Sequence, residues 1–315
     1  MNANNTPPQI VISASRRTDI PAFYLDWFMA QVDRGYFEVI NPYNRKVSVV
    51  TAAPQLVHSI VFWSKDFGPF LKGGIGEQLQ KKGFHLFFNF TINSDTPHLE
   101  PRVPTLPERL IQLEYLSSRF DPRAINWRFD PICFYKISNS IIKNNLHDFT
   151  RIADKAARSG ISRCITSFMD DYSKIRKRIR SITGFSFTFP SPQKKVGVLQ
   201  EMEKKLRQNN IRLYTCCEKE LFDRLPANAG IESSACIPND FLVELYGGIV
   251  SQKKDPGQRV KKGCGCKVSI DIGSYHRHPC YHSCLFCYAN PASDSNPIFR
   301  VKPQISQINT EIYDN

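Results

Sequence analysis

The stretch Val57-His-Ser-Ile-Val-Phe-Trp63, followed by Ser64-Lys65-Asp66, carries the pattern from which the fold can be predicted. A nearly continuous apolar run of this length is typical of a strand that is buried on both faces. Polar residues follow it directly, and residues 67–82 then have the spacing of an amphipathic helix. Together they have the pattern of one βα unit of a parallel sheet.

The same unit recurs along the first two-thirds of the chain. Six apolar runs predict buried strands, and five intervals between them contain helix-like segments. The predicted strands are Ile10–Ala14, Val57–Trp63, His85–Ile92, Ala124–Phe129, Arg163–Phe168 and Ile211–Tyr214. The predicted helical segments are 23–34, 67–82, 107–119, 146–159 and 174–209, with 184–187 interrupting the last and 36–51 forming β structure around the turn Asn41–Asn44.

Six βα units predict an α/β fold of the partial (β/α)6 TIM-like barrel type, because an ordinary TIM barrel needs eight. A doubly wound sheet also accommodates six units and is the alternative. Residues 1–215 are assigned to this barrel. Residues 216–291 are rich in cysteine and poor in long periodic segments, so we expect metal ligation to fold them onto the barrel mouth. Residues 292–315 are a polar tail, expected to be a mobile end.

Composition narrows the class of protein. The 315 residues contain no apolar run of the roughly 18–20 residues that span a bilayer, so no membrane partner is expected. The first residues lack the features of a secretory signal, which makes the cytoplasm the expected location. Ten cysteines in a cytoplasmic chain are more typical of metal ligands than of disulfides. The net charge of +13 makes a nucleic acid a candidate partner.

A cysteine triad near the C-terminus is the most specific chemical signal. Cys280, Cys284 and Cys287 are spaced C-x3-C-x2-C, and Tyr288 follows the last of them. A closed cubane or a structural zinc site takes four protein ligands, so three thiolates indicate a [4Fe–4S] cluster with one iron open. The alternative is a zinc site completed by a nearby histidine: His276, His278 or His282.

A second cysteine group comprises Cys216-Cys217, Cys236 and Cys264-Gly-Cys266. Cys216, Cys236, Cys264 and Cys266 supply four thiolates, enough for an auxiliary [4Fe–4S] cluster, and zinc would accept the same set. The glycine between the last two cysteines allows both thiolates to face one metal centre. Cys133 and Cys164 lie inside apolar runs and are expected to be ordinary buried thiols.

The motifs resemble two related groups of proteins. The triad and its tyrosine resemble the cluster loop of radical S-adenosylmethionine (SAM) enzymes. Over about residues 9–291 the chain also resembles a prokaryotic family of unknown function, similar to radical SAM proteins of the spore-photoproduct-lyase type, with the triad at the C-terminus. One departure is that residues 214–218 contain two cysteines where the family has one; Cys216 is the assigned ligand and Cys217 the fallback. The resembling blocks are 15–21, 41–44, 62–65, 127–132, 258–259, 264–266, 271–275 and 280–290.

The resemblance implies an enzyme that cleaves SAM reductively at a [4Fe–4S] cluster and uses the 5′-deoxyadenosyl radical to abstract hydrogen from a substrate. It implies a [4Fe–4S] cluster and SAM. With the second cysteine group, the expected cofactors are two [4Fe–4S] clusters and SAM, and the expected partner is a reductant such as flavodoxin or ferredoxin. The substrate is not identified; a nucleic acid or nucleotide is the candidate. The alternative function is a non-enzymatic zinc or iron–sulfur protein that binds nucleic acid.

Polar residues directly after the predicted strands supply the other candidates, since the carboxyl ends of barrel strands carry the active site. Lys65, Arg128 and Asp130 are the catalytic candidates. The positive charges at 16, 65 and 128 suit a cofactor carboxylate or a substrate anion. Asp19 and Asp130 also suit helix caps, and Arg128 a structural ion pair. The cofactor-binding candidates are Ser15, Arg16, Asp19, Asn41 and Tyr288.

Overall fold

The computed structural model describes residues 8–41, 44–138 and 141–289. Its strands are β1 Ile10–Ala14, β2 Tyr36–Ile40, β3 Val47–Thr51, β4 Val57–Ser64, β5 His85–Thr91, β6 Ile125–Ile132, β7 Phe134–Ile137, β8 Lys143–Asn144, β9 Arg163–Phe168, β10 Phe185–Thr188, β11 Arg212–Thr215, β12 Ile231–Ser233 and β13 Ile270–Asp271. Its α-helices are α1 Ile20–Phe23, α2 Leu25–Arg34, α3 Gly68–Lys72, α4 Ile75–Lys81, α5 Leu106–Arg119, α6 Phe149–Arg158, α7 Ser173–Ile179, α8 Pro192–Gln208, α9 Lys219–Phe222 and α10 Asn239–Tyr246.

One eight-stranded sheet organises these elements. Its order is β12-β11-β9-β6-β5-β4-β1-β13, and every neighbouring pair is parallel. The six central strands are the six predicted from the sequence, with ends that differ by up to three residues. The prediction of an α/β protein is therefore confirmed.

The two edge strands were not predicted. β12 and β13 have only 3 and 2 residues, too few to give a periodic signal, and both come from the cysteine-rich region. They lie at opposite edges of the sheet, so the sheet is open and not a closed barrel.

The two faces of the sheet have different partners. Side chains such as Ile12, Phe62 and Phe88 share one large core with residues of α2, α4, α5, α6 and α8. The alternate residues of the same strands, such as Val61 and Phe87, pack against Leu242 of α10. The long helices thus pack on one face of the sheet, and helix α10 of the cysteine-rich region packs on the other.

Smaller β elements explain the interruptions in the helical pattern. The predicted β structure at 36–51 is the antiparallel hairpin β2–β3; residues 42 and 43 of its turn lie outside the described residues. The predicted helical segment 174–209 is two helices, α7 and α8, separated by β10. This strand pairs with β7 in a second sheet of order β10-β7-β8.

Local sequence explains where the main helices begin. Thr105 and Glu108 form a capping box at the start of α5, in which the Thr105 backbone N–H donates to the Glu108 carboxylate at 2.7 Å. Ser191 caps α8, whose first residue is Pro192. Gly35 ends α2 in the left-handed conformation. The predicted tail 292–315 lies outside the described residues.

Candidate functional site

Both cysteine groups lie at the carboxyl edge of the parallel sheet. The triad follows β13 and contacts the residues directly after β1 and β4, and these together line a cavity of about 130 Å³. In the second group, Cys216 and Cys217 follow β11, Cys236 follows β12, and Cys264 and Cys266 pack against them. Because all eight strands are parallel, their carboxyl ends meet at one edge. The structure therefore brings together cysteines and polar residues that are far apart in the chain.

The triad loop is held from outside by Arg178 of α7. Its guanidinium donates to the backbone carbonyls of Cys284, Leu285 and Cys287 at 3.3, 2.7 and 3.1 Å. A planar group with five donors suits a loop whose carbonyls converge. Other anchors are the Leu285 N–H on the Leu99 carbonyl and the Tyr24 hydroxyl on the Pro279 carbonyl.

Asp19 connects the triad loop to the first strand. Its Oδ2 atom lies 2.7 Å from Nε2 of His282 and accepts from the Lys65 backbone N–H at 2.8 Å. Its Oδ1 atom accepts from the Ser64 hydroxyl at 2.7 Å and from the Ala22 N–H at 3.0 Å, which caps α1. Asp19 is thus a helix cap, as its position suggested, and also the partner of a triad-loop histidine.

A buried ion pair stands beside the central cysteine. Nζ of Lys65 lies 2.5 Å from Oε1 of Glu100, and Sγ of Cys284 lies 4.0 Å from the same oxygen. Burial by itself lowers the pKa of Lys65, but Glu100 and Cys284 outweigh it and raise that pKa. Burial raises the pKa of Glu100, but the positive charges of Lys65 and Arg109 lower it below its usual value. The pair therefore stays charged beside the thiol.

The triad thiols are protonated in the metal-free protein. Burial raises the pKa of Cys280, Cys284 and Cys287. A metal would have to displace three protons on binding, since only thiolates are ligands.

The neighbouring histidines have other contacts. His282 binds Asp19, and His278 lies between aromatic rings, with its centroid 4.1 Å from that of Trp27 and 4.9 Å from that of Tyr24. Burial, with a smaller effect of Arg277, lowers the pKa of His278 to about 4. The His282 ring is therefore held by Asp19, whereas Nδ1 of His278 is buried without a hydrogen-bond partner among the described residues.

The second group brings its five cysteines into one cluster. Cys216, Cys236, Cys264 and Cys266 are buried together, with the half-buried Cys217 against them. The sulfur atoms of Cys216, Cys217 and Cys264 all lie within 4.8 Å of one another. Such a set can hold a metal ion.

Crowding of the thiols sets their proton affinities. The thiol groups at 216, 217 and 266 interact with Cys264 and lower the pKa of this cysteine below its usual range. Contact with Cys216, together with burial, raises the pKa of Cys236 to about 12. One thiolate stabilised by its neighbours is the expected state of a metal-free thiol cluster.

Close packing explains the glycine in Cys264-Gly-Cys266. A Cβ atom at Gly265 would lie 2.7 Å from the backbone oxygen of Ser234, so no side chain fits there without moving the backbone. The predicted reason was conformational freedom for the two thiolates. The structure gives a different one, which is the close approach of two backbone segments that both carry cysteines.

Trp63 contacts both cysteine groups, since it packs against the second group and lines the triad cavity, and two arginines lie over its ring. The guanidinium carbons of Arg16 and Arg128 lie 5.4 and 5.0 Å from the Trp63 ring centroid. Arg128 pairs with Asp130, which also accepts from the Ser167 hydroxyl. Within the described residues, Nη2 of Arg16 and Nε of Arg128 are buried without a hydrogen-bond partner. Two catalytic candidates, Arg128 and Asp130, are thus paired to each other.

Ser15 is held by a residue of β13. Its hydroxyl donates to Oδ1 of Asp271 at 2.7 Å, and the Arg16 N–H donates to Oδ2 at 2.8 Å. Asp271 therefore fixes the turn after β1, and the Ser15 hydroxyl serves this contact. The proposed role of Ser15 toward a cofactor has no support in this geometry.

Two other candidates are not among the residues that line the triad cavity. Asn41 lines a separate cavity of about 350 Å³ together with Arg17 and residues 274–277. Tyr288 is 47% exposed and lies near Tyr172, with ring centroids 5.9 Å apart.

Sequence reasoning missed several residues that shape the site. Asp271, Glu100, Arg178 and the partnership of His282 with Asp19 were not predicted. Asp271 lies within a recognised block and His282 within the triad motif, so motif membership was a usable signal for these two. No pattern in the sequence marks Glu100 or Arg178.

Geometry and chain composition thus define an α/β protein with two clusters of free cysteines at one edge of a parallel sheet. Over residues 11–289 the chain matches the family described as "Domain of unknown function (DUF1848)", and it belongs to that family. No match is found among curated proteins.

Solved structures give only distant likenesses. A D-hydantoinase from Bacillus sp. AR9 is similar at 12% identity and a TM-score of 0.30, over 58% of this chain and 40% of that one. Another D-hydantoinase structure is similar at 11% identity and a TM-score of 0.32, over 72% of this chain and 46% of that one. The chain spans less than half the length of either.

No helix among the described residues is long and apolar enough to cross a membrane.

Proposed function

We propose that this protein is a radical SAM enzyme in which Cys280, Cys284 and Cys287 hold a [4Fe–4S] cluster. The observation that carries the proposal is the set of three thiols beside Lys65 and Arg16 at the carboxyl edge of the parallel sheet. A cluster held by these three cysteines alone would leave one iron for the amino acid portion of SAM. The open sheet, with its long helices on one face, supports reading it as the partial barrel typical of these enzymes.

The spacing of the sulfur atoms supports a cluster over a single metal ion. Zinc–sulfur bonds of about 2.3 Å in a tetrahedron bring sulfurs to roughly 4 Å of one another. Among the described residues, the sulfur atoms of Cys216, Cys217 and Cys264 all lie within 4.8 Å of one another, whereas those of the triad do not. The triad sulfurs are therefore spread more widely than one zinc ion requires.

When bound, the cluster and SAM supply a 5′-deoxyadenosyl radical, which abstracts a hydrogen atom from the substrate. The protein's own part is to bind, orient and exclude water. Arg16 lines the triad cavity, and its partnerless Nη2 donor suits an anionic group of the cofactor. Lys65 adds positive charge beside Cys284 while its pair with Glu100 fixes its position.

We assign the second group, Cys216, Cys236, Cys264 and Cys266, to an auxiliary [4Fe–4S] cluster because it offers four thiols. Zinc is the alternative occupant, and the close sulfurs of Cys216, Cys217 and Cys264, within 4.8 Å of one another, suit it. Cys217 also lies within reach, but it lines a cavity of about 680 Å³, so Cys216 remains the preferred ligand. The electron would come from a reductant such as flavodoxin or ferredoxin, and the proposed location is the cytoplasm. The candidate substrate is a nucleic acid or nucleotide, suggested by the net charge of +13.

The deciding experiment is an anaerobic count of metals and product. Protein reconstituted with iron and sulfide is expected to hold about eight irons per chain, falling to about four in the Cys280→Ala/Cys284→Ala/Cys287→Ala variant. With dithionite and SAM, only the wild type should form 5′-deoxyadenosine.

Cys164→Ala is the matched control, because Cys164 is a buried thiol of the main core and belongs to neither cysteine group. It should keep both the iron and the product. Bound zinc with no 5′-deoxyadenosine in the wild type would refute the enzyme proposal and favour a metal-stabilised nucleic-acid-binding protein.

A further inference from the structure

The cavity that contains Asn41 lies next to the triad cavity and has a different chemistry. It measures about 350 Å³, and Arg17 lines both cavities. Its lining residues are Arg17, Ile40, Asn41, Arg45, Ser274, Tyr275, His276 and Arg277. None of these is acidic, and three are arginines.

Two of the three arginines carry uncompensated charge. Across residues 8–41, 44–138 and 141–289, no ion pair is formed by Arg45 or Arg277. Arg17 is fixed in place, since it donates to the Gly273 carbonyl at 2.9 Å and lies 3.9 Å from Asp271. The positive charge of this cavity is therefore only partly neutralised by the protein.

Further positive charge stands at the rim. Nζ of Lys174, at the start of α7, lies 5.8 Å from the ring centroid of Tyr275, and the Arg17 guanidinium carbon lies 6.0 Å from the same centroid. Four separate segments of the chain thus bring cations to one concave surface. A concave site built from several segments fits a bound ligand better than a solvated charged face does.

We propose that this cavity binds the phosphate group of a small phosphorylated substrate whose reacting part lies in the triad cavity. A phosphate monoester carries about −1.5 to −2 charges near neutral pH, which matches two unpaired guanidinium groups. Arginine binds phosphate through two parallel hydrogen bonds. The volume suits a molecule of nucleotide size. The substrate role rests on the proposed function, whereas the phosphate site itself does not.

Binding can be measured without turnover. Titration calorimetry on the reconstituted full chain would compare uridine 5′-monophosphate with uridine, and the monophosphate should bind at least tenfold more tightly. Arg45→Gln/Arg277→Gln should weaken monophosphate binding by about tenfold or more, because both charged hydrogen bonds to the phosphate would be lost. Arg45→Lys/Arg277→Lys should retain part of the affinity, since the charge remains.

Arg207→Gln is the matched control, because Arg207 is 74% exposed and lies on α8; it should leave binding unchanged. Equal affinity for uridine and its monophosphate, or an unaffected glutamine double variant, would overturn the proposal. So would displacement of the monophosphate by SAM, which would assign the cavity to the cofactor. An oligonucleotide bound a hundredfold more tightly through the same arginines would replace the small ligand with a nucleic acid.

The two proposals fail separately. Phosphate binding without 5′-deoxyadenosine formation would keep this site and refute the radical enzyme. Formation of 5′-deoxyadenosine without phosphate binding would support the radical enzyme and refute this phosphate site.

Discussion

Asp19 satisfies four donors from three parts of the chain. It caps α1, accepts from the Ser64 hydroxyl and the Lys65 N–H, and binds His282 of the triad loop. Both it and His282 are almost fully buried. A buried carboxylate is tolerated because each of its oxygens has hydrogen-bond donors.

Removal of this carboxylate should therefore lower the free energy of unfolding. Asp19→Ala leaves several buried donors unpaired, and we expect a loss of about 3–4 kcal/mol in the free energy of unfolding. Urea denaturation of the reconstituted protein would measure it. Asp33→Ala is the control: Asp33 is 61% exposed and paired with Lys82, so its loss should stay below about 1 kcal/mol. Similar losses for both variants would contradict this account of Asp19.

His58 lies near the start of β4, at the end of the sheet opposite to the two cysteine groups. Its Nε2 atom lies 2.7 Å from the Gly247 carbonyl, so this nitrogen donates, and its Nδ1 lies 2.7 Å from the Ser59 hydroxyl. Burial lowers the pKa of His58 below its usual value. The folded protein therefore holds this ring in its neutral form.

This histidine should make stability depend on pH. The unfolded ring takes up a proton below about pH 6.5, whereas the folded ring resists it. The stabilisation is thus fully present above pH 6.5 and is lost as the pH falls toward the lowered folded pKa. His58→Gln, which keeps a donor for Gly247, should reduce the loss of unfolding free energy between pH 7.5 and 5.5. An unchanged pH dependence in this variant would refute the assignment.

Among the secondary-structure elements, helix α7 holds the triad loop through hydrogen bonds from one arginine. Only Arg178 of this helix reaches the carbonyls at 284, 285 and 287 among the contacts of the described residues. Arg176, two residues earlier, instead pairs with the exposed Asp171. The helix therefore offers a matched pair of arginines with different contacts.

Arg178→Gln should loosen the triad loop. If the triad holds the proposed cluster, we expect this variant to lose about half of the reconstituted iron and to show a weaker electron paramagnetic resonance signal from that cluster, because three carbonyls lose their common donor. Arg176→Gln should keep both. Full iron content with an unaltered spectrum in Arg178→Gln would show that the triad loop keeps its conformation without the hydrogen bonds of Arg178.

At the scale of the whole molecule, two parts differ in how they are stabilised. The six central strands share one large apolar core with the long helices. Residues 216–289 contain short elements and two groups of protonated or partly protonated thiols. Their order should therefore depend more on metal than that of the central sheet does.

Metal removal tests this difference. If the cysteine groups hold metal as proposed, hydrogen exchange after chelation under reducing conditions should become faster at β12, β13 and the loops that carry the cysteines, while β4, β5 and β6 stay protected. Mass spectrometry of peptides would resolve these regions. Equal acceleration in both parts would mean that the metals stabilise the whole fold.

Part of the fold was predictable because its signals are local. The runs of 4 to 8 residues predicted all six central strands, and the segment 184–187, which begins with a glycine, predicted the interruption between α7 and α8. β12 and β13 escaped prediction because strands of 3 and 2 residues show no periodicity. Their pairing depends on where the rest of the chain places them.

The candidate site was also predictable only in part. The sequence by itself determined the two cysteine groups, the polar residues after each strand and the α/β class, since spacing and periodicity are properties of neighbouring residues. Only the tertiary structure decided that β13 lies beside β1, which carries His282 to Asp19 across 263 positions. It also placed Arg178 on the triad loop and Asn41 among arginines. These contacts join residues far apart in the chain, and the path of the folded backbone alone brings them together.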